Sequence, residues 1–311
     1  MSTKNIYLYK VVIRDTQTNT EMPVNSFRGL FQEIFEREAR NNALKLTYDD
    51  AEPMMLDIVD NTDEYLFAKL SRKRPNNSMQ KRNYNTYQID DVLGPDEVAN
   101  KGVEWFTYCV LGYSHGILSI VNSKGAPGAG ALARVFSLYN HRFSLESEAI
   151  PNQNLIEELV HGRAPEINKV QVDIAQPDAQ ILQELFGFND REVLEAVGQN
   201  MSSIVFEVKP EFRGALSKDA NVITRLIDAL RHNRNQYHSV ILSGKTDTGE
   251  RQRRYDLYEE YFKYPINVSE YRQENHRKVE REKDDILRDY RQSMMEVYDD
   301  YKDIILAVSN R

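Results

Sequence analysis

Residues 266–311 contain neither glycine nor proline, so nothing in the last stretch of the chain interrupts a helix. Asn267 followed three residues later by Glu270 resembles a capping pair at its start. The sequence therefore predicts one long amphipathic helix over 266–311, and a helix of about 40 residues extends roughly 60 Å. Its first half, residues 270–285, is almost wholly charged. Acid-before-base pairs such as Glu274 with Lys278 and Asp284 with Arg288 stand at the favourable spacing of four. Its second half carries Ile286, Tyr290, Met294, Val297, Tyr301, Ile304 and Val308 at steps of three and four. Such a stripe must be buried against something, either its own domain or a second subunit. A charged spacer that carries the apolar end away from its own body favours the second subunit, which predicts a homo-oligomer joined through these seven residues.

The 311 residues ahead of and within this helix exceed a typical single core, so two further domains are expected. Residues 6–13 form a strand-like apolar run, and Phe27, Leu30, Phe31, Ile34 and Phe35 then follow at helical spacing. Residues 54–59 and 65–70 read as two strands around the turn 60–63, and residues 103–111 and 116–122 as a second hairpin about Gly112-Tyr113-Ser114-His115. Beyond Pro151 the pattern restarts. A short helix at 155–160 and a strand at 167–174 precede helices at 179–186 and 190–197. A strand at 203–208, an amphipathic helix at 219–231 and a strand at 239–242 then make a β-α-β unit. The fold class read from this order is α/β (α+β): mixed domains over 1–148 and 149–265, followed by the helix 266–311.

With 41% hydrophobic and 28% charged residues the chain can bury a core, which excludes extensive disorder. The single cysteine, Cys109, lies in an apolar run and reads as a buried, inert thiol, so no disulfide scaffold is expected. The first nine residues are too polar for a signal peptide, and no run approaches the roughly 18 apolar residues of a membrane span. A cytoplasmic protein is expected.

The whole chain carries a formal charge of -8, yet between Ala68 and Ile89 it has six basic residues and no acidic one. An acidic protein repels polyanions except where positive charge is gathered, so this island is where nucleic acid or an acidic protein partner would touch. Its centre, Pro75-Asn76-Asn77-Ser78, predicts a loop spanning 69–87. Lys69, Arg72, Lys73, Arg74, Lys81 and Arg82 would contact phosphates, while the interleaved Tyr84 and Tyr87 would stack on bases. The alternative is a solvated hairpin loop.

Two stretches carry candidate chemistry. In residues 203–209 the alternation of a strand puts Glu207 and Lys209 on one face. With Asp173 or Asp178 upstream, the pair resembles the Asp and Glu-x-Lys set of the restriction-endonuclease-like fold. That resemblance implies a metal-dependent nuclease in which Asp178 and Glu207 hold Mg²⁺ or Mn²⁺ and the lysine orients water. Two helices predicted between aspartate and glutamate depart from the family, and a solvent-facing ion pair is the alternative. Without the nuclease no cofactor is expected, and whether the chain is an enzyme stays open. Arg231 and His238 resemble the Arg and His spacing of the HEPN ribonucleases, although here the pair sits between a helix and a strand. The glycines of residues 125–130 lack a phosphate-binding lysine, and six scattered histidines form no zinc spacing.

The stretch from Tyr65 to Arg72, then Gly102-Val103-Glu104-Trp105-Phe106-Thr107-Tyr108, Gly116-Ile117-Leu118-Ser119-Ile120 and Gly125-Ala126-Pro127, resembles a pattern in uncharacterised bacterial and prophage proteins. Some of these lie near antiphage-defence genes. The resemblance covers the first half of the chain and implies a role in phage-host conflict as an interaction protein. It carries over no catalytic residue.

Overall fold

The computed structural model describes residues 4–48, 52–75, 78–98, 100–175, 183, 187, 203–211, 214–232, 237–259, 261–274 and 277–309. The helices expected over 179–186 and 190–197 lie almost wholly outside the described residues. The chain divides into two compact units, one of residues 1–150 and 263–302, the other of residues 151–262 and 303–311.

In the first unit, β1 (Lys4–Asp15), α1 (Phe27–Glu38), β2 (Ala43–Lys45), β3 (Met54–Asn61) and β4 (Tyr65–Arg74) follow one another. A small hairpin of β5 (Gln80–Arg82) and β6 (Ile89–Asp91) comes next, with the one-turn α2 (Pro95–Val98) after it. Then β7 (Val103–Gly112), β8 (Ile117–Val121), α3 (Arg134–Tyr139) and β9 (Phe143–Ala149) complete the N-terminal part. The second unit contains α4 (Asn152–His161), β10 (Glu166–Ala175), β11 (Ser203–Val208), α5 (Ala220–His232), β12 (Ser239–Lys245) and β13 (Arg253–Asp256). The chain then returns to the first unit with β14 (Lys263–Ile266), β15 (Tyr271–Glu274), β16 (Arg277–Glu280) and the helix α6 (Lys283–Ser309), which belongs to that unit through Lys302.

An eight-stranded sheet in the order β14-β1-β8-β7-β4-β3-β2 forms the first unit, and β9 also pairs with β1. At 12 residues β1 spans about 40 Å. It therefore serves two partners along one edge, β14 against its start and β9 against its end. Alternation sends Val11, Ile13, Leu66, Ala68, Leu70, Cys109 and Leu111 to one face. There they bury the apolar side of α1 (Phe27, Phe31, Ile34, Phe35) and Val135 and Phe136 of α3. Cys109 is fully buried, and burial pushes its thiol up to about 12, so it stays protonated and inert at neutral pH.

The opposite face of the same sheet is covered by α6. Tyr290, Met294, Val297, Tyr298 and Tyr301 are all buried. The Tyr290 ring lies 4.9 Å from that of Tyr108, and its hydroxyl accepts a 2.6 Å hydrogen bond from Lys4 Nζ. Tyr298 meets His115 Nδ1 at 2.8 Å, and Arg291 reaches Asp60 Oδ2 at 2.5 Å. A Cβ at Gly112 would collide with the Tyr298 hydroxyl, so this strand end must lack a side chain for the helix to lie down. Four of the residues expected to seat a second subunit, Tyr290, Met294, Val297 and Tyr301, are thus covered by their own chain. Ile286 is half-buried, and the side chains of Ile304 and Val308 lie outside those described.

The second unit is a four-stranded sheet in the order β11-β10-β12-β13. Both β11 and β12 run antiparallel to β10, so α5 crosses over β10 and buries Ile223 and Ile227.

These arrangements correct the expected fold class. The molecule is mostly β-sheet, and every pairing between named strands is antiparallel. Short turns join neighbours directly at β3-β4 and β7-β8, whereas an α/β sheet needs parallel strands linked by helices. The long helix is corrected too. It begins at Lys283 and has 27 residues, and the charged stretch before it is the β15-β16 hairpin. Charged residues without an apolar face gain nothing from helical packing. In the hairpin, Glu274 pairs with Arg272 at 2.8 Å, and Arg281 N donates to Glu270 O across its base. No helix among the described residues is long and apolar enough to cross a membrane.

Candidate nucleic-acid interface

The basic island is divided between two elements. Strand β4 runs through to Arg74, and pairing with β7 sets Arg72 across from Trp105, Lys69 across from Tyr108 and Lys73 across from Glu104. Because alternate residues face opposite ways, Arg72 and Arg74 share the face of Leu70, whereas Lys69 and Lys73 lie on the face that α6 covers further along. On the first of these faces the guanidinium carbons of Arg72 and Arg74 stand 5.9 and 5.1 Å from the Trp105 ring centre. Arg72 Nη2 also donates to the Gly125 carbonyl at 2.9 Å. Gly125 has φ +84°, and a Cβ there would lie 2.7 Å from the indole. The glycine-rich turn thus closes over Trp105.

Arg74 fastens the link to the β5-β6 hairpin, its Nε donating to Ser78 Oγ at 2.8 Å and its Nη2 to Ser78 O at 3.1 Å. The loop expected over 69–87 is therefore a strand end, a short link and a separate hairpin. At the hairpin's tip Asn83 Oδ1 accepts from the amides of Asn85 and Thr86, and Tyr87 N donates to Asn83 O. This Asx turn needs no large residue for its own packing. Tyr87 takes the left-handed conformation (φ 61°), steadied by Arg82 Nη1 donating to its carbonyl at 2.9 Å. Tyr84 and Tyr87 are held 82% and 73% exposed.

Charge is only partly balanced here. Lys69 pairs with Asp57 at 2.8 Å, and Lys81 stands across from Asp90 in the hairpin register. Among the described residues Lys73, Lys81 and Arg82 form no ion pair. Trp105 and the half-exposed Phe106 are aromatic members of this end of the sheet that the island's own residues do not announce. Their signal is the β4-β7 register, which no local pattern supplies.

The residues expected to carry nuclease chemistry lie in the second unit. Asp178 is outside the described residues. Asp173 and Glu207 share one face of the β10-β11 pair, where Gln171 opposes Glu207 and Asp173 opposes Val205. Both carboxylate oxygens of Glu207 are taken by ammonium groups, Oε2 by Lys169 at 3.2 Å and Oε1 by Lys209. Lys209, then Lys169, holds the Glu207 carboxyl below the usual carboxylate range. Among the described residues no group of three or more His, Cys, Asp or Glu side chains is placed to hold a metal ion. Of the ribonuclease-like pair, Arg231 donates to Gln153 on α4, and the His238 amide donates to Asp173 O at 2.7 Å.

No protein-family model matches the chain, and a search of the curated proteins finds no significant match.

Proposed function

We propose that the chain is a nucleic-acid-binding protein that engages single strands through the β5-β6 hairpin and the adjoining end of β4. The supporting observation is the pair of tyrosines at the hairpin tip. Large aromatic side chains gain from burial, yet Tyr84 and Tyr87 are held out of it by a turn ordered through the Asn83 side chain. Exposed aromatics at the tip of the hairpin that carries Lys81 and Arg82, with Lys73 and Arg74 at the end of β4, suit base stacking with phosphate contact, a combination that tolerates any sequence. The resemblance of the N-terminal half makes phage-host conflict in the cytoplasm the setting of this proposal.

Fluorescence anisotropy with a labelled oligo-dT across a salt series tests it. Binding should weaken as salt rises, and Tyr84→Ala with Tyr87→Ala should lower affinity at every salt concentration. An oligonucleotide that does not bind, or binds the variant equally well, overturns the reading. Capture of an acidic polypeptide by the hairpin without any oligonucleotide affinity would assign it to the other partner class.

A further inference from the structure

On the α6 side of the large sheet, a cavity of about 440 Å³ opens between the sheet, the β15-β16 hairpin and the first turns of α6. Small-ligand pockets span about 300–1,000 Å³, so this one suits a single compact ligand. Lys4, Lys69, Phe106 and Tyr108 line it from the sheet. Tyr271 and Glu280 line it from the hairpin, and Arg281, Lys283 and Tyr290 from α6 and the residue pair before it.

Two features of the lining choose the ligand. The first is aromatic. Phe106 (46% exposed) and Tyr271 (48% exposed) come from different elements and both line the cavity. Phe106 is steadied edge-on by Tyr108 at 5.7 Å, and Tyr108 in turn by Tyr290. A planar ring would find stacking surface here. The second feature is cationic. Four lining side chains are basic, Lys4, Lys69, Arg281 and Lys283, against two carboxylates, Glu270 and Glu280. Arg281 is committed to Asp289 and to the Ser269 carbonyl. Lys4 is fixed by Tyr290 and stands 3.7 Å from Glu270, and Lys69 is fixed by Asp57. An ammonium group has three donors, so both lysines keep donors for a ligand while their positions are already set. Lys283 makes no ion pair among the described residues. The two carboxylates of the lining suit the hydroxyls of a sugar.

We infer that this cavity binds a free mononucleotide, its base against Phe106 and Tyr271 and its phosphate on Lys4, Lys69 and Lys283. The site is separate from the hairpin interface. Lys69, grouped by sequence with the hairpin cations, faces this cavity on the side of the sheet opposite Arg72 and Arg74.

Isothermal titration calorimetry of the full chain with AMP, GMP, CMP and UMP, each to millimolar concentration, tests the inference. At least one should bind stoichiometrically. Lys69→Gln and Phe106→Leu should each weaken it about tenfold, the loss expected for a charge-assisted contact or a stacking partner. Unchanged circular dichroism and melting temperature would show that those variants fold. The double variant Lys81→Ala with Arg82→Ala, which alters only the hairpin, should leave mononucleotide affinity intact, and this separates the cavity from the oligonucleotide interface. Absence of binding by all four nucleotides overturns the inference. So does inorganic phosphate binding as tightly as the nucleotide, or binding only by a 5′-phosphorylated oligo-dT, which would make the cavity part of the strand interface.

Discussion

The basic end of the large sheet and the Glu207 cluster of the second unit use the same residue types and reach opposite ends. In the cluster, Lys169 and Lys209 close on both oxygens of one carboxylate, so the charges are spent on each other. At the sheet end, Arg72 and Arg74 meet an indole and a backbone carbonyl, and Lys73, Lys81 and Arg82 remain outside any described ion pair. An aromatic ring orients a cation without neutralising it. Where an arginine meets a ring instead of a shared carboxylate, as Arg72 and Arg74 do at Trp105, its charge is left able to attract a polyanion.

The largest effect should come from breaking the platform that presents the first region. Met294 is fully buried beneath the sheet, so Met294→Ala should cost about 2–5 kcal/mol in urea denaturation. Sedimentation velocity on the same variant should show that its effect is on folding of the single chain rather than on a contact between subunits. Next, Tyr84→Ala with Tyr87→Ala should weaken oligo-dT binding by about 1–3 kcal/mol for each stacked base, with little change in stability because neither ring is buried. Lys81→Ala with Arg82→Ala should lower the slope of log affinity against log salt by about 1.4, from about 0.7 for each single-strand phosphate contact.

The smallest effect concerns the Glu207 cluster. The Glu207 pKa is lowered in the folded chain, so its contribution to stability is complete above the ordinary carboxylate value of about 4.3 and is lost as pH falls through the lowered one. Hydrogen exchange of β10 and β11, corrected for intrinsic rates, should rise modestly over that acid window. Glu207→Gln should flatten the rise and leave oligonucleotide binding unchanged. Loss of binding in that variant would move the functional site to the second unit.

Elements with an apolar period were legible in the sequence. Phe27, Phe31, Ile34 and Phe35 mark α1, and the runs flanking Gly112 to His115 mark the β7-β8 hairpin, because their burial is written as spacing. Residues 270–280 were not legible. Their opposite charges satisfy helical spacing and cross-strand pairing alike, and with little apolar content nothing local chooses between them. The island around Lys69 to Arg82 was visible as charge, but its division was not. Pro75 marks a break, yet only the ten-residue pairing of β4 with β7 shows that Arg72 and Arg74 lie against Trp105 while Lys69 turns to the other face. Trp105 itself sits 31 residues from Arg74 in sequence, beyond the reach of any motif.

Photo-crosslinking is the sharpest test of the hairpin as the binding element. An oligonucleotide carrying 5-iodouracil, irradiated with the full chain and digested, reports which side chains stack on its bases. Crosslinks are expected on Tyr84 or Tyr87, lost at high salt and in the double tyrosine variant. Crosslinks confined to the second unit, or none on the hairpin while the oligonucleotide is bound, would contradict the assignment.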